Sequence, residues 1–167
     1  MAVVTTKSAA VTNRDATPVT FNDAIITGSY LKETVGMIET VSGDSIGSKY
    51  IMVSVPSNAR IARVLLSCDD IGTTATADCG IYRTTLDGSA VVDADHFASA
   101  VVLNAGALSE SNITHESGVY DIDDAEKPLW QALGLSADSK VMYDVVLTLT
   151  AAADAAGTIV LKVQYTI

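Results

Sequence analysis

The sequence predicts a mainly β protein: an antiparallel β-sandwich with one short helix and an extended N-terminal arm. Three observations support this prediction. Charged residues make up only 18% of the 167 residues, Ala, Val and Thr are abundant, and residues 141–167 alternate apolar and polar side chains. Because successive side chains of a strand point to opposite faces, a period of two gives one buried face and one wetter face. We therefore expect one domain whose core lies between two layers of strands.

The overall charge limits the classes of partner. Ten Lys and Arg are outnumbered by twenty Asp and Glu, so the formal net charge is −10. An acidic surface repels phosphate, which argues against a nucleic-acid-binding protein. No Lys or Arg occurs between residues 84 and 126, although this stretch is rich in Asp and Glu. We interpret this acidic run as a solvated face.

The two cysteines, Cys68 and Cys79, form neither a disulfide framework nor a CxxC-type metal motif. We expect both thiols to be buried and reduced, as in a protein made in a reducing cytoplasm. The first residues lack a basic region followed by an apolar run, so no signal peptide is expected. No stretch approaches the about 20 apolar residues of a membrane-spanning helix.

The first 28 residues have weak periodicity, and we predict that they form an extended arm lying on the domain or on a neighbour. Two short apolar stretches within them, Val3–Val4 and Val19–Phe21, are candidates for edge strands. Pro18 biases the residue before it away from helix. An ordinary edge strand followed by a loop is an equally good interpretation. Residues 29–167 show no repeat or linker, and we assign them to a single β-sandwich domain.

Four strands are predicted in the first half of that domain: Val35–Val41, Tyr50–Val55, Arg60–Cys68 and Asp78–Arg83. The third has apolar side chains on both faces, which is typical of a central strand or of one covered by a partner. Simple alternation places Ala62, Val64, Leu66 and Cys68 on one face and Ile61, Arg63, Leu65 and Ser67 on the other.

The second half is less regular before its last strands. Asp93–Ala100 is predicted to form one helical turn, and Ala100–Leu103 a short strand. Ile122–Gly134 is the best helix candidate, because aspartates at its start can cap it and a glycine ends it. Trp130 is expected to anchor this helix to the sheet.

The alternating C-terminal segment is predicted to form an antiparallel hairpin. Its two strands would be joined by residues 151–158, which include an Asp and a Gly suited to a turn. The residues expected in the core are Val145, Leu147, Leu161 and Val163. A lone hairpin is marginal in water, so this face needs a second layer.

No residue pattern points to catalysis. His96 and His115 are interpreted as surface or loop histidines, since a metal site needs three or four converging ligands. The nucleophile elbow, the P-loop and the dinucleotide fingerprint are absent. We therefore predict a protein that is not an enzyme, with no catalytic, cofactor-binding or metal-binding residues.

Several stretches taken together resemble a group of small virion proteins of tailed bacteriophages. They are Asn13–Pro18, Gly43–Ser48, Val55–Arg60, Asp93–Ala98 and Thr114–Leu135. Within that group the best match is a capsid decoration (cement) protein. Such proteins are commonly β-sandwiches or jelly rolls that clamp neighbouring capsid subunits on the outer shell. The resemblance covers most of the chain and supplies no site motif.

This resemblance implies a structural virion protein that decorates and stabilises the outer capsid surface by bridging capsid subunits. Its partners would be the major capsid protein and further copies of itself, with neither nucleic acid nor a membrane involved. It would be made in the host bacterial cytoplasm. Two alternatives stay open: a head–tail joining, tail or head-fibre protein, and a receptor- or carbohydrate-binding β-sandwich.

Arg14, Arg60 and Arg63 are the candidate subunit contacts, as three of only ten basic residues in an acidic chain. An Arg guanidinium can hold a carboxylate bidentately, so these residues could dock on acidic groups of a capsid subunit. The alternative is that Arg14 is solvated and Arg63 merely covers the face of the sandwich.

Overall fold

A computed structural model describes residues 4–103 and 107–167. The strands among these residues are β1 Lys32–Thr40, β2 Lys49–Pro56, β3 Arg60–Cys68, β4 Thr76–Arg83, β5 Val91–Val102, β6 Leu108–Asn112, β7 Met142–Ala151 and β8 Gly157–Thr166. Two short α-helices accompany them, α1 Ala9–Arg14 and α2 Leu129–Ala132, with single 3₁₀ turns at Thr85–Asp87 and Ile122–Asp124.

The strands form two antiparallel four-stranded sheets that pack face to face. Sheet A has the order β1-β8-β3-β6, and sheet B has the order β2-β7-β4-β5. Except between β4 and β5, each successive strand changes sheet, so the chain winds around the core as a jelly roll. The predicted all-β sandwich is therefore confirmed, and its topology is that of the double Greek key.

The predicted C-terminal hairpin is wrong in its pairing. Strand β8 pairs with β1 and β3, whereas β7 pairs with β2 and β4, so the two strands lie in different sheets. The residues expected in the core are nevertheless all buried: Val145, Leu147, Leu161 and Val163. Alternation identifies the face that a strand turns to the core. It does not identify the partner, because both sheets share one core.

Strand β3 is central in sheet A, as its two-sided apolar pattern predicted. The simple alternation along it is broken, because the register with β8 shifts between Ile61 and Arg63. This β-bulge lets Ile61 join Val64 on the core side, while Arg63 turns out to solvent.

Two predicted helical segments are corrected. Ile122–Gly134 is not one helix but a 3₁₀ turn, capped by reciprocal bonds of Asp121 and Asp124, followed by the four-residue α2 directly after Pro128. Proline tolerates only the start of a helix, which explains the break. Leu129 is the buried anchor of α2, whereas Trp130 is only half-buried.

The predicted helical turn at Asp93–Ala100 instead lies within β5, which ends at Val102 and so includes all but the last residue of the strand predicted at Ala100–Leu103. Ala98 pairs with Cys79 and Asp93 with Ile81, so residues 94–97 bulge out opposite a single residue, Gly80. A Cβ atom at Gly80 would lie 2.2 Å from the carbonyl oxygen of Ala94, so the bulge requires glycine there.

Described residues 4–31 contain α1 and no strand. The edge strand considered at Val19–Phe21 is absent, and Val3 lies outside the described residues. The division of the chain at about residue 28 stays a prediction.

Candidate subunit-contact surfaces

Residues 4–22, which we call the distal arm, form hydrogen bonds with one another. Ser8 caps α1, the backbone N–H of Thr20 donates to the carbonyl of Asn13 at 3.1 Å, and Asn13 Nδ2 donates to Asn22 Oδ1 at 2.9 Å. No hydrogen bond joins the distal arm to residues 30–167 within the described chain. The sandwich therefore does not fix the position of the distal arm through hydrogen bonds.

Residues 23–29, the tether, are fastened to the sandwich. The carbonyl oxygen of Ile25 accepts from Arg60 Nε at 3.3 Å and from Thr166 Oγ1 at 3.2 Å. Ser29 Oγ donates to the carbonyl oxygen of Ile167 at 3.1 Å. Because Arg60 and Thr166 are opposed on β3 and β8, the tether crosses the end of sheet A over these two strands.

The structure places the three candidate arginines in different settings. Arg14 ends α1, is exposed, and pairs with its neighbour Asp15 at 2.8 Å. Arg60 is half-buried and also donates to the carbonyl of Ala125 at 2.8 Å, so it ties its own chain together. Arg63 lies on the outer face of sheet A opposite Gln164 and is exposed, and its side chain makes no hydrogen bond or ion pair with the described residues.

Exposed aromatic side chains are the feature of the N-terminal region that sequence reasoning missed. Phe21 is 93% exposed and Tyr30 88% exposed, in a chain with only two Phe and six Tyr. Large apolar side chains left in water commonly mark an interaction surface when they cluster. The available signal was aromatic residues in a segment without periodicity, which has no sheet face to bury them.

Strands β1 and β2 form one open side of the sandwich, the β1/β2 edge. Strand β1 pairs with β8 through nine consecutive residue pairs without a register shift. Its outward N–H and C=O groups have no hydrogen-bond partner among the described residues. Val35 and Met37 on β1 and Ile51 on β2 are at least half exposed. Strand β1 therefore leaves an unpaired edge in continuous register, and both strands of the β1/β2 edge expose apolar side chains.

Strands β5 and β6 form the opposite side, the β5/β6 edge, around a buried histidine. His96 is fully buried in the β5 bulge, which corrects the prediction of a surface or loop position. Its Nδ1 atom lies 2.9 Å from Asp93 Oδ2, and its buried Nε2 atom has no hydrogen-bond partner in the described structure. Burial lowers the pKa of His96, and the Asp93 carboxylate offsets part of that shift. Asp95 and Asp124 exert weaker effects in the same direction as Asp93.

An aromatic cluster fills the space around His96. The ring centroids of Phe97 and Tyr120 lie 4.9 Å and 5.5 Å from that of His96. The Tyr120 hydroxyl donates to the carbonyl of Ile61 at 3.0 Å, and burial raises the pKa of Tyr120 to about 12. His115 is exposed, as predicted, and its ring stacks on that of Tyr120 with the ring centroids 5.3 Å apart. His96, Phe97 and Tyr120, which we call the aromatic plug, are fully buried and pack together between the sheets at this edge.

The two cysteine thiols lie in the core of the described chain. Cys68 and Cys79 are buried and unpaired, and burial raises the pKa of both thiols. No group of three or more His, Cys, Asp or Glu could hold a metal ion within the chain that is described. No described helix is long and apolar enough to cross a membrane.

Comparisons with known proteins identify the fold. No family model matches the chain, and a search of curated proteins finds no match. A chain in the structure of the "Cyanophage Pam1 capsid asymmetric unit" is 16% identical, with a TM-score of 0.50 over 83% of this chain and 86% of that one. A chain in the "Acidic stable capsid structure of Helicobacter pylori bacteriophage KHP30" is 15% identical, with a TM-score of 0.42 over 83% and 94%. These structural neighbours are phage capsid structures, and the first shares the fold of this chain.

Proposed function

We propose that this chain is a structural protein of a tailed-phage particle that binds the outer surface of the assembled capsid and bridges its subunits. The observation that carries the proposal is the jelly-roll fold shared with a chain of a cyanophage capsid. The resemblance of several sequence stretches to phage decoration proteins supports the same class. Neither argument involves catalysis, and we propose a role that is not enzymatic.

The mechanism would be purely physical. A protein that binds the assembled shell but not its dissociated subunits stabilises the shell by mass action. The net charge of −10 suits the outside of a particle, away from packaged DNA. The major capsid protein is the proposed partner, together with further copies of this chain.

Arg63 is the best placed of the three candidate contacts. Its guanidinium is exposed and uncommitted, whereas Arg14 and Arg60 already have partners in their own chain. We expect Arg63 to bind a carboxylate on the capsid, and the distal arm to extend the contact to a neighbouring subunit. An arm that orders on binding gives up conformational entropy but can cover a large surface.

The test is cosedimentation with capsids that lack this protein. The full chain should sediment with them, and Arg63→Ala should bind more weakly, while Arg83→Ala serves as a matched control because Arg83 already pairs with Asp87. A variant lacking residues 2–20 should also bind more weakly. Equal binding by the shortened and full chains would show that the arm is not a clamp.

Copy number separates decoration from a connector or tail role. A decoration protein should be present in purified particles at a number comparable to that of the major capsid protein. Only a few copies per particle would favour a head–tail joining, tail or head-fibre protein, and binding to a glycan array would favour a receptor-binding module.

A further inference from the structure

We infer that the distal arm of one copy docks on the β1/β2 edge of a second copy, where Val19–Phe21 pairs as a short strand with β1. This inference deepens the proposed function by naming the surface and the partner of the arm. It concerns the isolated protein, so its test is independent of capsid binding.

The distal arm carries an unused pairing side. In an extended segment, the N–H groups of residues i and i+2 point to the same side of the chain. The N–H of Thr20 is bonded to Asn13 within the arm, whereas those of Val19 and Phe21, which would point the other way, have no partner among the described residues. The side chains of Val19 and Phe21 are both exposed. This segment therefore has strand-forming residues, free donors and apolar side chains, but nothing to pair with.

The β1/β2 edge carries the complementary surface. The outward N–H and C=O groups of β1 are free, and residues 34–38 contain no charge. Val35 and Met37 flank this row of groups on the outer face of sheet A. An added strand would gain main-chain hydrogen bonds along β1 and apolar contacts with these side chains. This is the usual mode by which an extended peptide binds an open sheet edge.

The tether is attached to β3 and β8 at the end of sheet A. Ile25 is held where β3 and β8 meet, and β8 separates β3 from β1 in sheet A. To reach the free side of β1, the same chain would have to turn back across β8 within the few residues that separate Ile25 from Phe21. A second copy can present its β1 edge without this constraint.

Charge favours the same pairing. Residues 1–22 contain two basic residues and one acidic residue, for a net charge of +1. Residues 23–167 contain eight basic and nineteen acidic residues, for a net charge of −11. Two sandwich bodies repel each other, but a weakly basic arm is attracted to the body of another copy. The contact is heterologous, because the two surfaces that meet are different.

The test is sedimentation velocity of the purified full chain over a wide range of protein concentrations. Wild type should self-associate. Phe21→Asp on the arm and Val35→Asp on the edge should each weaken association by about tenfold or more. Val91→Asp on β5 is the matched control for Val35, with 51% against 53% exposure, and Leu86→Asp controls for Phe21 at full exposure. Both controls should associate like wild type.

Mixing the arm variant with the edge variant distinguishes docking of the arm on β1 from other contacts between copies. Phe21→Asp keeps an intact edge and Val35→Asp keeps an intact arm, so a mixture of the two should form a mixed dimer that neither forms alone. Val19→Asp provides a second arm lesion, and circular dichroism of each variant verifies folding. A wild type that stays monomeric throughout, or a loss of association with Val35→Asp but not with either arm variant, would overturn the inference.

Discussion

The β5/β6 edge has features by which β proteins protect an open sheet edge, whereas β1 of the β1/β2 edge has neither a register shift nor a charge in its middle. Strand β6 is only five residues long, and β5 is interrupted by a bulge that contains Asp95 and directly follows Asp93. By contrast, β1 runs for nine residues in continuous register, with an uncharged middle that exposes Val35 and Met37.

The two edges differ in whether the side chains of their edge strand pack in the core. At β5, the extra residues of the bulge carry His96 and Phe97 into the core, so the irregular strand supplies two fully buried side chains. At β1, the sandwich is closed by direct approach of backbones, because a Cβ on Gly36 would lie 2.1 Å from the carbonyl oxygen of Met52. The outward side chains of β1 are not needed for that closure, which leaves them available to a partner.

The largest expected contrast is in folding stability. Phe97→Ala should lower the free energy of unfolding by about 3–5 kcal/mol, because it empties a fully buried site in the aromatic plug. Val35→Ala should change it by no more than about 0.5 kcal/mol in dilute solution. Urea denaturation of both variants measures the difference. If both variants lose a similar amount of free energy of unfolding, Phe97 contributes no more to folding stability than an exposed side chain on β1.

The second contrast is a dependence on pH. Burial holds the pKa of His96 below its ordinary value, so the unfolded chain takes up a proton at about pH 6.5 that the folded chain does not. Above that pH, His96 is unprotonated in both the folded and the unfolded state, so it does not make the free energy of unfolding depend on pH. As the pH falls below it, the free energy of unfolding should decrease by at most about 1.4 kcal/mol per unit, until the folded pKa is reached.

His96→Phe should remove this component, and its curve of stability against pH should be flatter than wild type between about pH 6.5 and 5. His115→Gln is the matched control, because His115 also contacts the Tyr120 ring but is exposed. Thermal unfolding across the pH series gives both curves. If His96→Phe and wild type have parallel curves, the buried imidazole does not account for acid sensitivity.

A smaller effect is expected at the tether. Arg60→Ala removes the guanidinium donors to Ile25 and Ala125, and should cost about 1–2 kcal/mol. Amide hydrogen exchange of residues 23–29 should become faster, because the tether loses an attachment. Arg63→Ala, on the same strand without an intramolecular partner, should change neither quantity. Unchanged exchange in Arg60→Ala would show that Thr166 and Ser29 suffice to hold the tether.

The sequence predicted the buried faces far better than it predicted the partners of the strands. The alternation at Val145 and Leu147 correctly marks the core, since burial depends on the side chain alone. Strand pairing depends on how the connection after Ala151 crosses between sheets, and a hairpin and a sheet change have the same local pattern. The β5 bulge escaped prediction for a related reason, because its register is set by the bulged strand against Gly80.

The candidate contacts were predictable only in part. A scarce basic residue such as Arg63 is visible in an acidic sequence, but simple alternation places it on the same face as Ile61, and only the register shift between them leaves Arg63 exposed. The internal role of Arg60 was not visible, because its acceptors are backbone carbonyls far away in the chain. The open β1 edge was equally hidden, since no local pattern distinguishes an edge strand from a central one.

The smallest expected effect is a difference between lysine substitutions on the β1/β2 edge and on the β5/β6 edge. Val35→Lys and Val91→Lys replace equally exposed valines on edge strands of opposite sides, and Lys is common on exposed edges. In dilute solution each variant should unfold within about 0.5 kcal/mol of wild type. At high protein concentration the melting temperature of wild type and of Val91→Lys should rise, because association stabilises the folded state. That of Val35→Lys should stay constant, since its edge no longer accepts an arm, and scanning calorimetry over a dilution series measures all three. A rise in Val35→Lys equal to that of wild type would place the association elsewhere on the molecule.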